Sequence, residues 1–334
     1  MKKVNVKWVG LAIVAVLVVV LLVYFTAQQP IVEEPLKVAG VVFQEDQFMR
    51  FLQLGYQDAA ERAGIEFIPG NTLGDAATEA ELLETFVGMG VDGVAISPIS
   101  EIASVHGLRS ASERGLRVGI SNHNFTDVDF ITGGFTSDNY QLGRSTGEVA
   151  ANFINEQLGG EARIAILQFK SLLPEQSGAR TAGFLSALEN IPGVEVIADH
   201  DAWLQDAAIT VASDIITAHP DINIIWSANE GGTIGATMAV KNAGKEGEIF
   251  VFGTDASEQM VLFLQDPANI LQAVTGQDPY AIGVKTMEAL IRAIKGEDYS
   301  DTKGQNFIVP GILLTRDDPA KLDEFLEDFR AKLE

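Results

Sequence analysis

Short apolar runs alternate with stretches of helical periodicity along almost the whole chain from Leu36 onward. That alternation selects parallel α/β architecture, because parallel strands need a connection long enough to hold a helix. "KVAGVVF" (37–43) precedes a predicted helix whose Phe48, Leu52, Tyr56, Ala59 and Ala63 share one face and which Gly64 stops. "IEFIPG" reads as the next strand, and Thr78 with Glu81 forms a capping box that opens a helix with Leu82, Leu83, Phe86 and Val87 turned inward. "VDGVAIS" and "LRVGIS" complete the first series. The rhythm restarts with "ARIAILQ" (162–168), "VEVIAD" (194–199), "INIIWSA" (222–228), "EIFVFGTD" (248–255) and "ILQAVTG" (270–276), each separated by a predicted helix. Two similar sheets are the simplest account, and 334 residues at 47% hydrophobic content suffice for two cores.

The amino terminus follows other rules. Lys2, Lys3 and Lys7 precede an uncharged apolar run from Trp8 to Phe25, and Glu33 and Glu34 follow it. This is a membrane-targeting segment, longer than a usual signal-peptide core. Its best cleavage point, after Ala27, has bulky Phe25 where a small residue is expected. Residues 1–35 are therefore expected to form a signal or anchor segment and linker, uncleaved. The flanking charges place the rest outside the cytoplasm, tethered to the outer face of the membrane.

Composition removes several function classes. A net charge of −23, spread along the chain, opposes any nucleic-acid partner. The absence of cysteine excludes disulfides, thiolate metal sites and cysteine nucleophiles. Four scattered histidines (His106, His123, His200, His219) show no metal-ligand spacing. "GMGVDG" (88–93) matches a dinucleotide fingerprint letter for letter, yet the predicted helix precedes the glycines and the strand follows them. A cofactor loop needs the reverse order, so the glycines read as a helix stop and no cofactor is expected. "GISNH" lacks the last glycine of a nucleophile elbow, and no pair of carboxylates is assignable as acid and base. The chain is not expected to be an enzyme.

Polar and aromatic residues recur where strands run out. Phe43 to Phe48 follow the first strand, Asn122 and His123 the fourth ("LRVGISNHNF"), and Trp203 the "VEVIAD" strand. Asn229 and Glu230 follow "INIIWSA", while Asp255 and Gln277 end the last two. Each alone reads more readily as a turn residue or helix cap. Together they point to a ligand site, because a parallel sheet gathers those strand ends on one side. Amides, a few carboxylates and large rings suit a neutral ligand with many hydroxyls, whose C–H faces lie on the rings.

With these residues in view, the chain resembles a type I periplasmic sugar-binding protein of the ribose-binding family from Leu36 to Thr315. The matches are "GYQDAAERAG", "VDGVAISP", "TSDNYQLGRSTGE", "RTAGF", "IITAHPDINIIWSANE", "GTDAS" and "TGQDPYAIG". The resemblance implies two α/β lobes joined by a three-strand hinge, with crossings near Ser137, Gln277 and Pro310. The lobes would be 36–137 with 278–310, and 138–277 with 311–334. It places the ligand-binding residues at Asp46, Phe48, Met49, Asn122, His123, Trp203, Asn229, Asp255 and Gln277. Phe48 and Trp203 would sandwich a sugar ring, and Asp255 and Asn229 would read its hydroxyls. Ribose binders, however, carry Asp-Arg where this chain has Asn122-His123, and an arginine where Gly178 stands; Arg180 matches a different, mainly structural arginine. Without those two guanidinium forks, neither ribose nor a carboxylate or phosphate ligand fits well.

The function so implied is capture of a monosaccharide or polyol for the permease of an ABC importer. A membrane-tethered sensor subunit, presenting the same closed cleft to a histidine kinase or chemoreceptor, is the alternative. A repressor of the lac type shares the fold but needs an amino-terminal helix-turn-helix, where this chain has its apolar segment.

Overall fold

The computed structural model describes residues 35–126 and 128–332. The expected anchor lies outside the described residues, and among those described no helix is long and apolar enough to cross a membrane.

The first series runs β1 (Lys37–Val42), α1 (Gln47–Arg62), β2 (Glu66–Asn71), α2 (Ala76–Gly88), β3 (Gly93–Ile96), α3 (Ser104–Glu113), β4 (Arg117–Ser121) and β5 (Ile131–Thr136). The second runs α4 (Asn139–Gln157), β6 (Glu161–Gln168), α5 (Pro174–Leu188), β7 (Gly193–Asp201), α6 (Gln205–Ala218), β8 (Ile224–Ser227), α7 (Glu230–Asn242), β9 (Phe250–Thr254), α8 (Glu258–Gln265) and β10 (Leu271–Gly276). Then α9 (Pro279–Ile294) and β11 (Asn306–Ile308) return to the first sheet, and β12 (Ile312–Thr315) and α10 (Pro319–Ala331) to the second. Strand orders are β11-β5-β4-β3-β1-β2 and β12-β10-β9-β8-β6-β7.

These two orders are the same pattern twice, and they explain one asymmetry. β11 pairs parallel to β5, whereas β12 pairs antiparallel to β10. Only Val309, Pro310 and Gly311 separate β11 from β12. A chain leaving one sheet at its carboxyl edge and keeping its heading must enter the other sheet from that edge, against the local strand direction.

Each sheet buries its own core. Val41, Phe86, Val94, Ile96, Leu108, Val118, Ile120 and Ile131 pack together in the first. Leu167, Ile215, Ile225, Val251, Met260, Leu271 and Leu326 do so in the second. Each also locks one helix pair with reciprocal glycines. A Cβ on Gly55 of α1 would collide with the Tyr280 carbonyl, and one on Gly283 of α9 with that of Leu52. In the other lobe, Cβ atoms on Gly143 of α4 and Gly183 of α5 would collide with the carbonyls of Arg180 and Tyr140. Backbones this close leave no room for even a methyl group. Trp226 on β8 closes the second lobe beneath this crossing. Its indole N–H donates to Thr146 Oγ1 at 3.1 Å and its ring stacks on Phe184 at 4.7 Å.

One helix start differs from the sequence reading. α2 is capped by Asp75, which accepts from the Thr78 amide at 2.7 Å, so Thr78 is its third residue rather than its cap. A short carboxylate is as good a cap as threonine and gains from the helix dipole as well. The glycines of "GMGVDG" end α2, with Gly90 at φ 68°, and β3 begins at Gly93, as the order of elements required.

Candidate functional site

The carboxyl ends of the two sheets face a cavity of about 420 Å³, within the range of small-molecule sites. Asp46, Phe48, Met49, Asn122, Trp203, Asn229, Asp255 and Gln277 all line it. The fold draws these eight residues to one cavity from six separate segments. Gln176 on α5 spans the lobes, donating to the Asn122 carbonyl at 2.7 Å.

Several of these residues have two tasks. Asp46 caps α1, accepting from the Met49 amide at 2.7 Å and from the Gln44 side chain. Asn229 caps α7, and its Nδ2 donates to the Trp203 carbonyl at 3.0 Å, which fixes the turn that carries the indole. Cap and cavity wall are thus one residue, because a helix that follows a strand begins at the strand's carboxyl end. Asn122 and Asp255 occupy matching places after β4 and β9, both with left-handed backbones (φ 63° and 72°).

His123 stands apart. The sequence puts it beside Asn122 on the cavity shelf, but it is 2% exposed and is not a lining residue. Its ring lies 6.0 Å from that of Phe125, and Nδ1 is 3.4 Å from Glu101 Oε1. The left-handed turn at Asn122 brings the chain off the shelf after one residue.

Two residues that strand-end reasoning misses, and one that it notes at a strand end without assigning it to the site, complete the wall. Gln176 and Arg180 lie one turn apart near the start of α5, and Glu230 is the first residue of α7. Their signal is the first two turns of the helices that follow β6 and β8. Arg180, 3% exposed, is held on every side. Its Nε donates to Asn139 Oδ1 at 2.9 Å and its Nη1 to the Ala228 carbonyl at 2.8 Å. Nη1 also lies 3.4 Å from both carboxylate oxygens of Asp255, and the guanidinium sits 5.1 Å above the Phe169 ring. Asp255 in turn accepts from Gln277 Nε2 at 2.7 Å and from the Glu230 amide at 3.0 Å. This arginine serves the wall from behind: it neutralises Asp255 and leaves that carboxylate's open edge to the cavity.

The remaining carboxyl groups are under pressure. Burial pushes Glu230 up to about 7, opposed by a hydrogen bond from Ser257 and reinforced by the charges of Asp255 and Asp46. Asp46 keeps an exposed face, yet the cleft walls desolvate its carboxyl and raise it above the usual range against its two hydrogen bonds. Among the described residues, no group of three or more histidines and carboxylates is placed to hold a metal ion.

Two sheets of one topology, three crossings and a cavity between their carboxyl ends define a hinged binding fold. A family model described as a periplasmic binding protein domain matches residues 40–298. The chain belongs to that family. Curated relatives of this periplasmic binding protein include the ABC transporter periplasmic-binding protein YphF of Escherichia coli K12, 27% identical over 275 residues and spanning 79% of this chain and 83% of that one. The D-allose-binding periplasmic protein of the same organism is 27% identical over 279 residues, covering 79% and 87%. Among solved structures, an ABC transporter solute binding protein from Bacillus halodurans C-125 with bound myo-inositol superposes with a TM-score of 0.77 at 22% identity, over 88% of this chain and 98% of that one. The periplasmic binding protein has the type I fold, and its family is one of binding, not of catalysis.

Proposed function

We propose that this periplasmic binding protein captures a sugar or polyol without an acidic group in the cavity between its lobes and delivers it to the permease of an ABC importer. The observation that carries this reading is the cavity itself: rings of Phe48 and Trp203 together with hydrogen-bonding groups from both lobes, at the carboxyl ends of both sheets. The curated relatives bear the names of transport and sugar-binding proteins, which supports an importer over a sensor subunit. The binding set is Asp46, Phe48, Met49, Asn122, Trp203, Asn229, Asp255 and Gln277, extended by Gln176, Arg180 and Glu230, with His123 backing Asn122 from beneath. The moving bodies are 36–137 with 278–310 and 138–277 with 311–334. Residues 1–35 tether the protein to the outer face of the cytoplasmic membrane.

A thermal-shift screen over pentoses, hexoses and polyols tests the reading. A cognate sugar at 100 times its Kd should stabilise the fold by about 2.7 kcal/mol. Trp203→Ala should weaken its binding roughly 10-fold by removing one ring wall, and Asp255→Asn by about 10- to 100-fold. Binding untouched by both substitutions would mean that the site lies elsewhere. Mass spectrometry should recover the sugar unaltered, and membrane fractionation of native protein tests the tether.

A further inference from the structure

Two carboxylates of the cavity form no ion pair among the described residues. Asp255 has Arg180 at 3.4 Å, but Asp46 is satisfied only by the Met49 amide and the Gln44 side chain. Glu230 takes its hydrogen bond from the Ser257 side chain. The first approaches from the loop ahead of α1 in one lobe, the second from the start of α7 in the other, and Glu230 feels the charge of Asp46. Both sit at helix amino termini, where the dipole favours a negative charge.

Arg50, one turn beyond Asp46 on α1, is exposed and is not among the residues that line this cavity; the cations closer to Glu230 are committed elsewhere. Arg180 is held by Asn139, the Ala228 carbonyl and Asp255. Beyond Gln277, on the hinge side of Glu230, Lys332 lies 2.8 Å from Asp328 and 3.8 Å from Asp278. Glu45 adds a further acid to the cavity rim. The cavity is therefore negative on both faces, and closing it on a wholly neutral ligand brings like charges together in a dry site. A metal ion does not fit, since among the described residues no set of three or more ligating groups converges. An organic cation does fit: the rings of Phe48 and Trp203 line the same space, and ring faces attract ammonium groups as well as sugar C–H surfaces.

Building on the sugar-site reading, we propose that the ligand carries a protonated amine, as an amino sugar or amino cyclitol does, and that its ammonium lies between Asp46 of one lobe and Glu230 of the other. Such a group forms charge-assisted hydrogen bonds to both lobes and turns a repulsion that resists closure into an attraction that drives it. The raised carboxyl of Glu230 supports the same arrangement, because an adjacent ammonium restores the ionised form that burial disfavours.

Calorimetry on the full chain near neutral pH, pairing D-glucosamine with D-glucose, D-galactosamine with D-galactose and an inosamine with myo-inositol, tests the proposal. At least one amine should bind about 10-fold or more tightly than its hydroxyl counterpart. In Glu230→Gln and in Asp46→Asn, each verified as folded by its melting curve, that ratio should fall towards one. Hydroxyl members that bind as tightly as their amines in every pair would overturn the amine proposal and leave the sugar-site reading standing. A panel in which neither series binds would count against both. An amine preference that survives both substitutions would mean that Asp46 and Glu230 do not hold the ammonium.

Discussion

In the first lobe β4 ends in Asn122, in the second β9 ends in Asp255, and the two backbones are nearly interchangeable. Both are left-handed, and both amides donate to the neighbouring strand, Asn122 to Phe135 at 2.9 Å and Asp255 to Thr275 at 2.8 Å. What differs is the chemistry attached. Behind Asp255 stands Arg180 in a web of hydrogen bonds, whereas beneath Asn122 lie His123 and Glu101, with no guanidinium. The repeated scaffold fixes where a side chain is presented. The side chains decide that one of these two strand ends offers a neutral amide and the other a charged carboxylate.

The largest effect should fall where the lobes are most alike. Gly183→Val and Gly283→Val each drive a side chain into a backbone carbonyl, so each should cost more than about 3 kcal/mol and leave its own lobe unfolded in hydrogen exchange. A lobe that absorbed its substitution without loss would break the equivalence of the two crossings. The next effect belongs to one lobe alone. Arg180→Met strands Asp255 without a countercharge and should lower stability by roughly 3 to 5 kcal/mol in denaturant unfolding.

A smaller, pH-dependent effect sharpens the charge comparison. Glu230 is raised in the folded protein from 4.5 to about 7, so between those values the folded state holds more protons than the unfolded one. Without ligand, its contribution to stability is present at the acid end and is lost as pH rises through that window, by at most about 1.4 kcal/mol per pH unit. Glu230→Gln should flatten this part of the curve; a slope that stays the same would place the titration on other groups. The smallest effect is expected at His123. His123→Gln should change ligand affinity by less than about threefold while lowering the melting temperature, since its ring is packed beneath the cavity shelf and not on it.

The strand rhythm makes both sheets readable from the sequence alone, but not their seams. β5 carries adjacent glycines, Gly133 and Gly134, which weaken any strand pattern. They are there because Thr302, Ala289 and Asn306 press against them. β11 is three residues long and β12 four, too short for periodicity to register. These strands are implied only through the resemblance, as hinge crossings. The site is readable where a residue ends a strand, as with Asn122, Asp255 and Gln277. Gln176 and Arg180 escape because they sit within α5, where a helical pattern reads as packing until the facing lobe is known. His123 misleads for the opposite reason: adjacency in sequence suggests a shared wall, and one left-handed residue undoes it.

That left-handed pair also changes how a mutational scan of the cleft must be designed. Alanine at 122 or 255 keeps a Cβ in a left-handed backbone and loses the short polar side chain that eases this conformation in asparagine and aspartate, at a cost of up to about 1 to 2 kcal/mol. Glycine removes the same side chain and accepts that backbone freely. The difference between the alanine and glycine variants at each position therefore reports left-handed strain offset by glycine's greater freedom in the unfolded chain. A conventional alanine scan would credit Asn122 and Asp255 with more recognition than they supply, and would do so at the two points where the lobes mirror one another.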